Sequence, residues 1–211
     1  MQLRSDSFQN ASPLPERLAF GRIDDVKHVA LAENRNPHLH WSGAPEGTRS
    51  FVVMCVDLDA PTSFDDVNQP GREISVSVPR GDFYHWVLID LPAETTAIQE
   101  GAYSSGITPK GKAGPLALDE TRQGLNDFSS FFAQDHDMNG DYFGYDGPCP
   151  PWNDALIHRY YFTVYALDID EVPLQGRFTG PQLNEAIRPH VLAQASVYGT
   201  YTLNPKCVEA L

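Results

Sequence analysis

The sequence predicts a mainly β fold, and three observations support this. The chain of 211 residues contains 17 prolines and 16 glycines, spread along its length, which indicates many turns between short elements. Three apolar runs have the length and residue types of buried strands. Only one segment, close to the C-terminus, has the spacing of a helix. With 41% hydrophobic residues and no repeat or linker, a single domain over residues 1–211 is expected.

The N-terminal part of the chain contributes extended segments. Residues 1–25 contain two prolines and are predicted to form a strand or an extended arm. Further on, Leu39 and Trp41 alternate with His38 and His40, which indicates a short, half-buried strand.

Two of the three strong strands follow. Residues 50–57 are almost continuously apolar, as in a strand that is covered on both faces. Residues 84–91 form the second apolar run, which is closed by Pro92. Between the two runs, the strict alternation of residues 74–78 predicts a short edge strand or hairpin arm.

Residues 93–140 lack a periodic pattern, and a loop of this length has a function or contains structure of its own. A cluster of phenylalanines is expected to hold part of this loop against the body of the protein. The cluster consists of Phe128, Phe131 and Phe132. The third strong strand is predicted over residues 158–167.

The C-terminal segment has the signals of a helix. Thr179 or Gly180 is the expected N-cap, Pro181 suits the first helical position, and Leu183 and Ile187 lie four residues apart. Pro189 should interrupt this helix. The sequence beyond it predicts a continued apolar helix face at Val191, Leu192 and Ala195, and then a last strand over residues 197–203.

The charge of the chain excludes some partners. A formal net charge of −13 repels phosphodiester backbones and anionic lipid, so neither nucleic-acid binding nor membrane docking is expected. No signal peptide is evident before residue 30, and no apolar stretch reaches the ~20 residues of a membrane span. Because Cys55, Cys149 and Cys207 cannot all pair within the chain, a cytoplasmic protein with reduced thiols is expected.

Polar side chains at the strand ends suggest a binding site. Asp57 and Asp59 follow the first strand, His85 opens the second, and His158 and Tyr160 open the third. An imidazole backed by a carboxylate becomes a cation near neutral pH, and a phenol adds a hydrogen-bond donor. If the strand ends converge, these groups form a pocket for one phosphate, sulfate or carboxylate group. Taken singly, each is equally consistent with an ordinary buried polar residue.

Other chemistries fit less well. Residues 135–141 match the start of a calcium loop, but position 146, the twelfth, is Asp instead of Glu, and no flanking helices are evident. A Cys149–His158 pair is conceivable, but the sequence shows no other positive charge to lower the pKa of the thiol. Glycine-rich nucleotide loops and the Gly-x-Ser-x-Gly elbow are absent from the sequence. No metal or cofactor is expected.

The same strand ends carry two ordered motifs of a known family. Residues 57–61 (Asp-Leu-Asp-Ala-Pro) precede His85-Trp86, and residues 147–151 (Gly-Pro-Cys-Pro-Pro) precede residues 158–162 (His-Arg-Tyr-Tyr-Phe). Both blocks resemble the signatures of the phosphatidylethanolamine-binding protein family, in particular its bacterial, Raf kinase inhibitor-like branch. Weaker similarity extends from residues 36–42 to residues 199–201, so the resemblance covers most of the chain.

The resemblance implies a β-sandwich in which a large antiparallel sheet packs on a smaller one, with short C-terminal helices and an anion pocket at one end of the sheet. It assigns to that pocket Asp57, His85, Gly147, Pro150, Pro151, His158 and Tyr160, with Asp59 from the first motif and Tyr201 as part of a lid. It also makes Pro61 a candidate for a cis peptide bond in a tight turn.

The sequence differs from the family's pattern at three places, which affect the expected identity of the ligand more than the existence of the pocket. Leu58 replaces a proline and should loosen the turn, the stretch between Pro61 and His85 is longer and could cover, narrow or line the pocket, and Cys149 stands where the residue is usually small.

The function expected from this resemblance is non-enzymatic binding of a small anionic group, either phosphate or a phosphorylated head group. Two alternatives stay open: inhibition of a kinase or protease through a protein surface formed by residues 62–83, and hydrolysis by a His–Asp pair. A protein partner and a homodimer are compatible with the sequence.

Overall fold

The computed structural model describes residues 1–208. The strands in chain order are β1 (Gln2–Arg4), β2 (Ser12–Pro13), β3 (Gly21–Asp24), β4 (His28–Leu31), β5 (Leu39–Ser42), β6 (Ser50–Pro61), β7 (Arg80–Pro92), β8 (Ala97–Ile98), β9 (Arg122–Gln123), β10 (His158–Leu167) and β11 (Val191–Tyr201). The α-helices are α1 (Phe128–Phe131), α2 (Gly180–Ile187) and α3 (Pro205–Val208), and single 3-10 turns occupy Glu16–Leu18, Leu118–Glu120 and Arg188–His190.

The strands form a large sheet and two smaller ones. The large sheet has six strands in the order β2-β11-β10-β6-β7-β9, antiparallel except for the parallel pair β2–β11. A three-stranded sheet has the order β1-β5-β8, and β3 pairs with β4. The predicted mainly β sandwich with short C-terminal helices is confirmed.

β6 lies at the centre of the large sheet and is covered on both faces, as its continuous apolar run predicts. Phe51 and Val53 belong to the core cluster that also contains Trp41 of the three-stranded sheet, whose ring lies 5.4 Å from that of Phe51. The alternate residues Val52 and Met54 belong to a second cluster, formed with helix α2. Alternating side chains of one strand therefore fill two different cores.

The three strong strands occur where the sequence places them, and two of them are longer. β6 continues to Pro61 and β7 begins at Arg80, so the two pair along a long antiparallel ladder. β5 confirms the half-buried strand around Trp41, and the N-terminal arm supplies the short strands β1 and β2.

The helix prediction is correct as far as Pro189 and wrong beyond it. The backbone N–H of Thr179 donates to Gln182 Oε1 at 3.0 Å, and Pro181 lies in the first turn of α2. After the 3-10 turn at Pro189, however, the chain becomes β11, which pairs with β10 along its whole length, as in Ala195 opposite Val164. The apolar residues after Pro189 alternate along a strand because a free edge of β10 was available, which the local sequence does not reveal.

Two loop predictions had different outcomes. The edge strand over residues 74–78 is wrong: within residues 1–208, only Ile74 of this stretch forms a β-bridge, and Val76 is exposed. Residues 93–140 do contain structure of their own, including β8, β9 and α1. Phe128 and Phe132 hold this segment as predicted, and Phe128 stacks on Phe20 with ring centroids 4.7 Å apart, whereas Phe131 is exposed.

None of the helices in the described part of the chain is long and apolar enough to cross a membrane.

Candidate functional site

A cavity of about 40 Å³ lies where β6 ends and β7 and β10 begin. Because β6 runs antiparallel to both neighbours, its C-terminal end lies beside their N-terminal ends. Asp57 of β6 is accordingly opposite Phe83 in β7 and Tyr160 in β10. The register of three strands thus brings distant parts of the chain to one point.

Six predicted site residues line this cavity: Asp57, His85, Pro150, Pro151, His158 and Tyr160. His85 and His158 therefore face the same space, as the convergence of strand ends requires.

His158 is held between two buried carboxylates. Its Nδ1 lies 2.7 Å from Asp57 Oδ2, and its Nε2 lies 3.1 Å from Asp154 Oδ2. Burial alone would lower the pKa of His158, but Asp57 and Asp154 outweigh it and raise the pKa from 6.5 to about 9. His158 therefore carries a positive charge at neutral pH, and both of its N–H groups are already donated to carboxylates.

Arg80 completes this ionic network. Its Nη1 and Nη2 lie 2.5 and 3.0 Å from the two carboxylate oxygens of Asp154. Burial would raise the pKa of Asp154, but hydrogen bonds from His158 and Arg80 lower it overall. The network pairs two carboxylates with two cationic side chains, so its formal charges balance.

His85 has a different environment. Its Nδ1 lies 2.7 Å from the backbone oxygen of Asp146, so Nδ1–H donates to that carbonyl and Nε2 is left without a hydrogen bond to any described residue. Burial lowers the pKa of His85, against the weaker opposing effects of Asp57 and Asp146. The imidazole is therefore neutral at pH 7.

Three side chains hold the carboxylate of Asp146 in place. Its carboxylate accepts hydrogen bonds from Asn34 (2.7 Å), Asn126 (2.9 Å) and Lys112 (2.6 Å). These contacts hold the backbone at Asp146, and with it the orientation of the His85 ring.

Tyr160 presents a buried hydroxyl with no partner. Its side chain has no solvent exposure, and its Oη makes no hydrogen bond to any atom in residues 1–208. Burial raises the pKa of the phenol well above 10, so it carries its proton. The ring packs edge-on against His85, with centroids 5.2 Å apart.

Cys149 also lines the cavity but lacks the environment of a nucleophile. Burial raises the pKa of its thiol to about 12. The imidazole of His158 is engaged by Asp57 and Asp154 and is not free to act as a base. The structure thus agrees with the sequence argument against a reactive Cys–His pair.

Three predicted site residues lie outside the cavity lining. Asp59 forms a two-point ion pair with Arg159, at 2.7 and 2.8 Å. Gly147 is packed so closely that a Cβ atom would lie 2.0 Å from the backbone oxygen of Leu18. The hydroxyl of Tyr201 donates to the carbonyl of the first residue of β3 at 2.9 Å.

The first motif does not form the predicted turn. Residues 57–61 continue β6, with an irregular register between Asp57 and Ala60. Pairing of Pro61 with Arg80 keeps this stretch extended. The predicted cis bond before Pro61 is also wrong, since the cis peptide bond in the described part of the chain precedes Pro115.

Several residues in or next to the cavity were missed in the sequence. Asp154 and Arg80 contact His158 or each other outside the cavity lining and carry no motif, and they meet because the loop after Pro151 packs on the segment after Pro61. That segment, residues 62–79, lines the cavity with Phe64, Val67 and Asn68.

No group of three or more His, Cys, Asp or Glu side chains within residues 1–208 is arranged to hold a metal ion. In the calcium-like run, Asp135 Oδ1 accepts hydrogen bonds from the backbone N–H groups of Asp137 and Met138, each at 2.9 Å. This is a local turn, as is common for Asp.

Comparison with known proteins gives a consistent result. The sequence model of the phosphatidylethanolamine-binding protein family matches residues 4–202. The UPF0098 protein YbhB of Escherichia coli is 31% identical over 202 residues, covering 96% of this chain and 100% of its own. A UPF0098 protein of Aquifex aeolicus is 28% identical over 201 residues, covering 95% of this chain and 88% of its own.

Solved structures agree. The crystal structure of Escherichia coli YbcL, described as a member of the mammalian PEBP family, superposes with a TM-score of 0.66 at 25% identity, over 95% of this chain and 97% of YbcL. The PEBP homologue CT736 of Chlamydia trachomatis gives a TM-score of 0.64 at 26% identity, over 95% of both chains. The chain, whose two motifs bracket the cavity described above, belongs to the phosphatidylethanolamine-binding protein family.

Proposed function

We propose that the cavity binds a small phosphate-like anion and that the chain is a binding protein, not an enzyme. The observation that carries this proposal is the hydroxyl of Tyr160, which is buried without a partner in the described part of the chain, in a residue that lines the same cavity as His85. A buried donor left unpaired costs about 1–3 kcal/mol. An anion in the cavity would accept that hydrogen bond and remove the cost.

The charges around the cavity favour an anion whose binding is accompanied by proton uptake at the site. The network of Asp57, His158, Asp154 and Arg80 is neutral, and no Lys or Arg lines the cavity in the described part of the chain. A bound anion would therefore favour protonation of His85, whose Nε2–H would then donate to it. His158 acts indirectly, by holding Asp57 and Asp154 in place.

The geometry argues against hydrolysis by the His158–Asp57 pair, because a general base needs a free nitrogen and the second nitrogen of His158 faces Asp154. His85 has a free nitrogen, but its Nδ1 is held by a backbone carbonyl and not by a carboxylate. The name of the family refers to phosphatidylethanolamine, a phospholipid whose head group contains a phosphate, and this agrees with a phosphorylated ligand.

Isothermal titration calorimetry with inorganic phosphate at pH 6 tests the proposal. Hydrogen bonds to a charged group contribute about 1.5–3 kcal/mol each. Tyr160→Phe and His85→Gln should therefore each weaken binding about 10- to 100-fold, at ~1.4 kcal/mol per tenfold change. Tyr160→Phe should not lower the stability of the free protein, because it removes an unpaired hydroxyl.

Tyr161→Phe is the matched control. Tyr161 is the next residue in β10, and its ring stacks on Tyr198, 4.9 Å away, outside the cavity lining. It should bind phosphate as the wild type does. Wild-type affinity in both cavity variants, or no phosphate binding by the wild type, would refute the proposal.

A further inference from the structure

The size of the cavity limits what it can enclose. A buried water needs about 10–15 Å³ of such space, so a cavity of about 40 Å³ has room for only about three waters or one compact group. If the anionic group fills it, the rest of an organic ligand has to lie at the mouth. The chemistry of the mouth therefore decides which ligands are preferred.

Two phenyl rings are exposed side by side at this mouth. Phe64 is 53% exposed and Phe131 is 39% exposed, and their ring centroids lie 5.8 Å apart at an angle of 74°. Both residues line the cavity. Large aromatic side chains exposed as a pair beside a cavity provide an apolar surface for a ligand.

Aromatic rings connect this surface to the interior. Phe131 lies 6.5 Å from Phe83, and Phe83 lies 4.9 Å from His85. A ligand held by His85 would thus meet rings from the cavity outward to Phe64. Segment 62–79 contributes one polar residue to the cavity lining, the uncharged Asn68.

The geometry points to an organic anion, in which a phosphoryl-type group in the cavity is joined to an aromatic ring or short hydrocarbon group that packs on Phe64 and Phe131. This inference rests on the proposed function. Phe64 and Phe131 are then specificity-determining residues, and segment 62–79 is the part of the chain that selects the ligand. The net charge of −13 opposes approach to an anionic bilayer, which favours a soluble ester over an anionic membrane lipid.

A comparison of two ligands of equal charge tests this inference. At pH 5, below the second pKa of a phosphate monoester at about 6, inorganic phosphate and phenyl phosphate are both mainly monoanions. An aromatic contact contributes enough for a preference of about tenfold. Titration calorimetry of the wild type should therefore show phenyl phosphate binding about tenfold more tightly than inorganic phosphate.

Phe64→Ser should remove most of this preference, so that its affinities for phenyl phosphate and for inorganic phosphate become nearly equal. Because the measured quantity is the ratio of two affinities within one variant, a general change in the affinity of the cavity cancels. Leu116→Ser is the matched control, because Leu116 is 71% exposed and does not line the cavity. Its preference for phenyl phosphate should equal that of the wild type.

Equal binding of the two ligands by the wild type, or a preference that survives Phe64→Ser, overturns the inference and leaves the proposed function standing. Failure of the wild type to bind either ligand overturns both. Co-sedimentation with phosphatidic acid vesicles that Phe64→Ser abolishes would overturn the assignment to a soluble ester.

Discussion

The ionic clamp on His158 predicts how the stability of the protein depends on pH. The pKa of His158 is 6.5 in the unfolded chain and about 9 in the folded protein. At about 1.4 kcal/mol per pH unit, this difference corresponds to about 3 kcal/mol. Because the folded pKa is the higher one, the stabilisation is complete below pH 6.5 and is lost as the pH rises through 9.

His158→Gln removes the titrating group and keeps a side chain of similar size. The difference in unfolding free energy between wild type and variant should be at least about 3 kcal/mol at pH 6. It should shrink by about 1.4 kcal/mol per pH unit between pH 6.5 and 9. Urea denaturation at half-unit steps from pH 5.5 to 9.5 measures this difference, in which the titration of groups remote from His158 cancels.

His190→Gln is the control for the loss of an imidazole. His190 pairs with Asp168 at 2.9 Å, but its side chain is 32% exposed and lies at the surface. A surface pair contributes about 0–1 kcal/mol, so this variant should follow the wild type at every pH. If the wild type and His158→Gln give parallel curves, His158 is not the clamped cation described above.

Two further predictions follow from the site. The affinity for sulfate, an anion that does not titrate in this range, should fall about tenfold per pH unit above pH 6.5, because binding takes up a proton at His85. His85→Gln should bind sulfate weakly and with no pH dependence. A wild-type affinity that is constant from pH 6 to 8 would contradict proton uptake. Gly147→Ala should destabilise the protein by about 1–3 kcal/mol in urea denaturation, because its Cβ would lie 2.0 Å from a backbone oxygen that cannot move freely. In Gly81→Ala the new Cβ would meet only the methyl group of Thr62, at 3.1 Å, so a smaller loss is expected there.

The strands could be predicted because their signal is local. The apolar runs of β6, β7 and β10 are long enough to exclude a surface loop, and the two motifs lie at their ends. For the segment after Pro189, the sequence predicts a helix, but its apolar residues fit the period of a helix and the period of a strand equally. Pairing with β10 decided the outcome.

The sequence predicted that the strand ends converge, but it did not predict the environment of each residue there. His85, His158 and Tyr160 do meet at one cavity. From the sequence, the two histidines are expected to have equivalent roles, whereas in the structure His158 is a cation held by two carboxylates and His85 is neutral with a free nitrogen. Asp59 and Tyr201 belong to the right strands, but they pair away from the cavity.

By itself, the sequence determined the sheet-rich architecture, the family and the strand ends where polar groups gather, since residue type and spacing along the chain are sufficient for these. The tertiary structure decided the charge of each group and the shape of the mouth. A pKa depends on burial and on partners that are remote in sequence, such as Asp57, which lies 101 positions from His158. The aromatic mouth likewise requires residues 62–79 and helix α1 to fold against each other, and no local pattern encodes that contact.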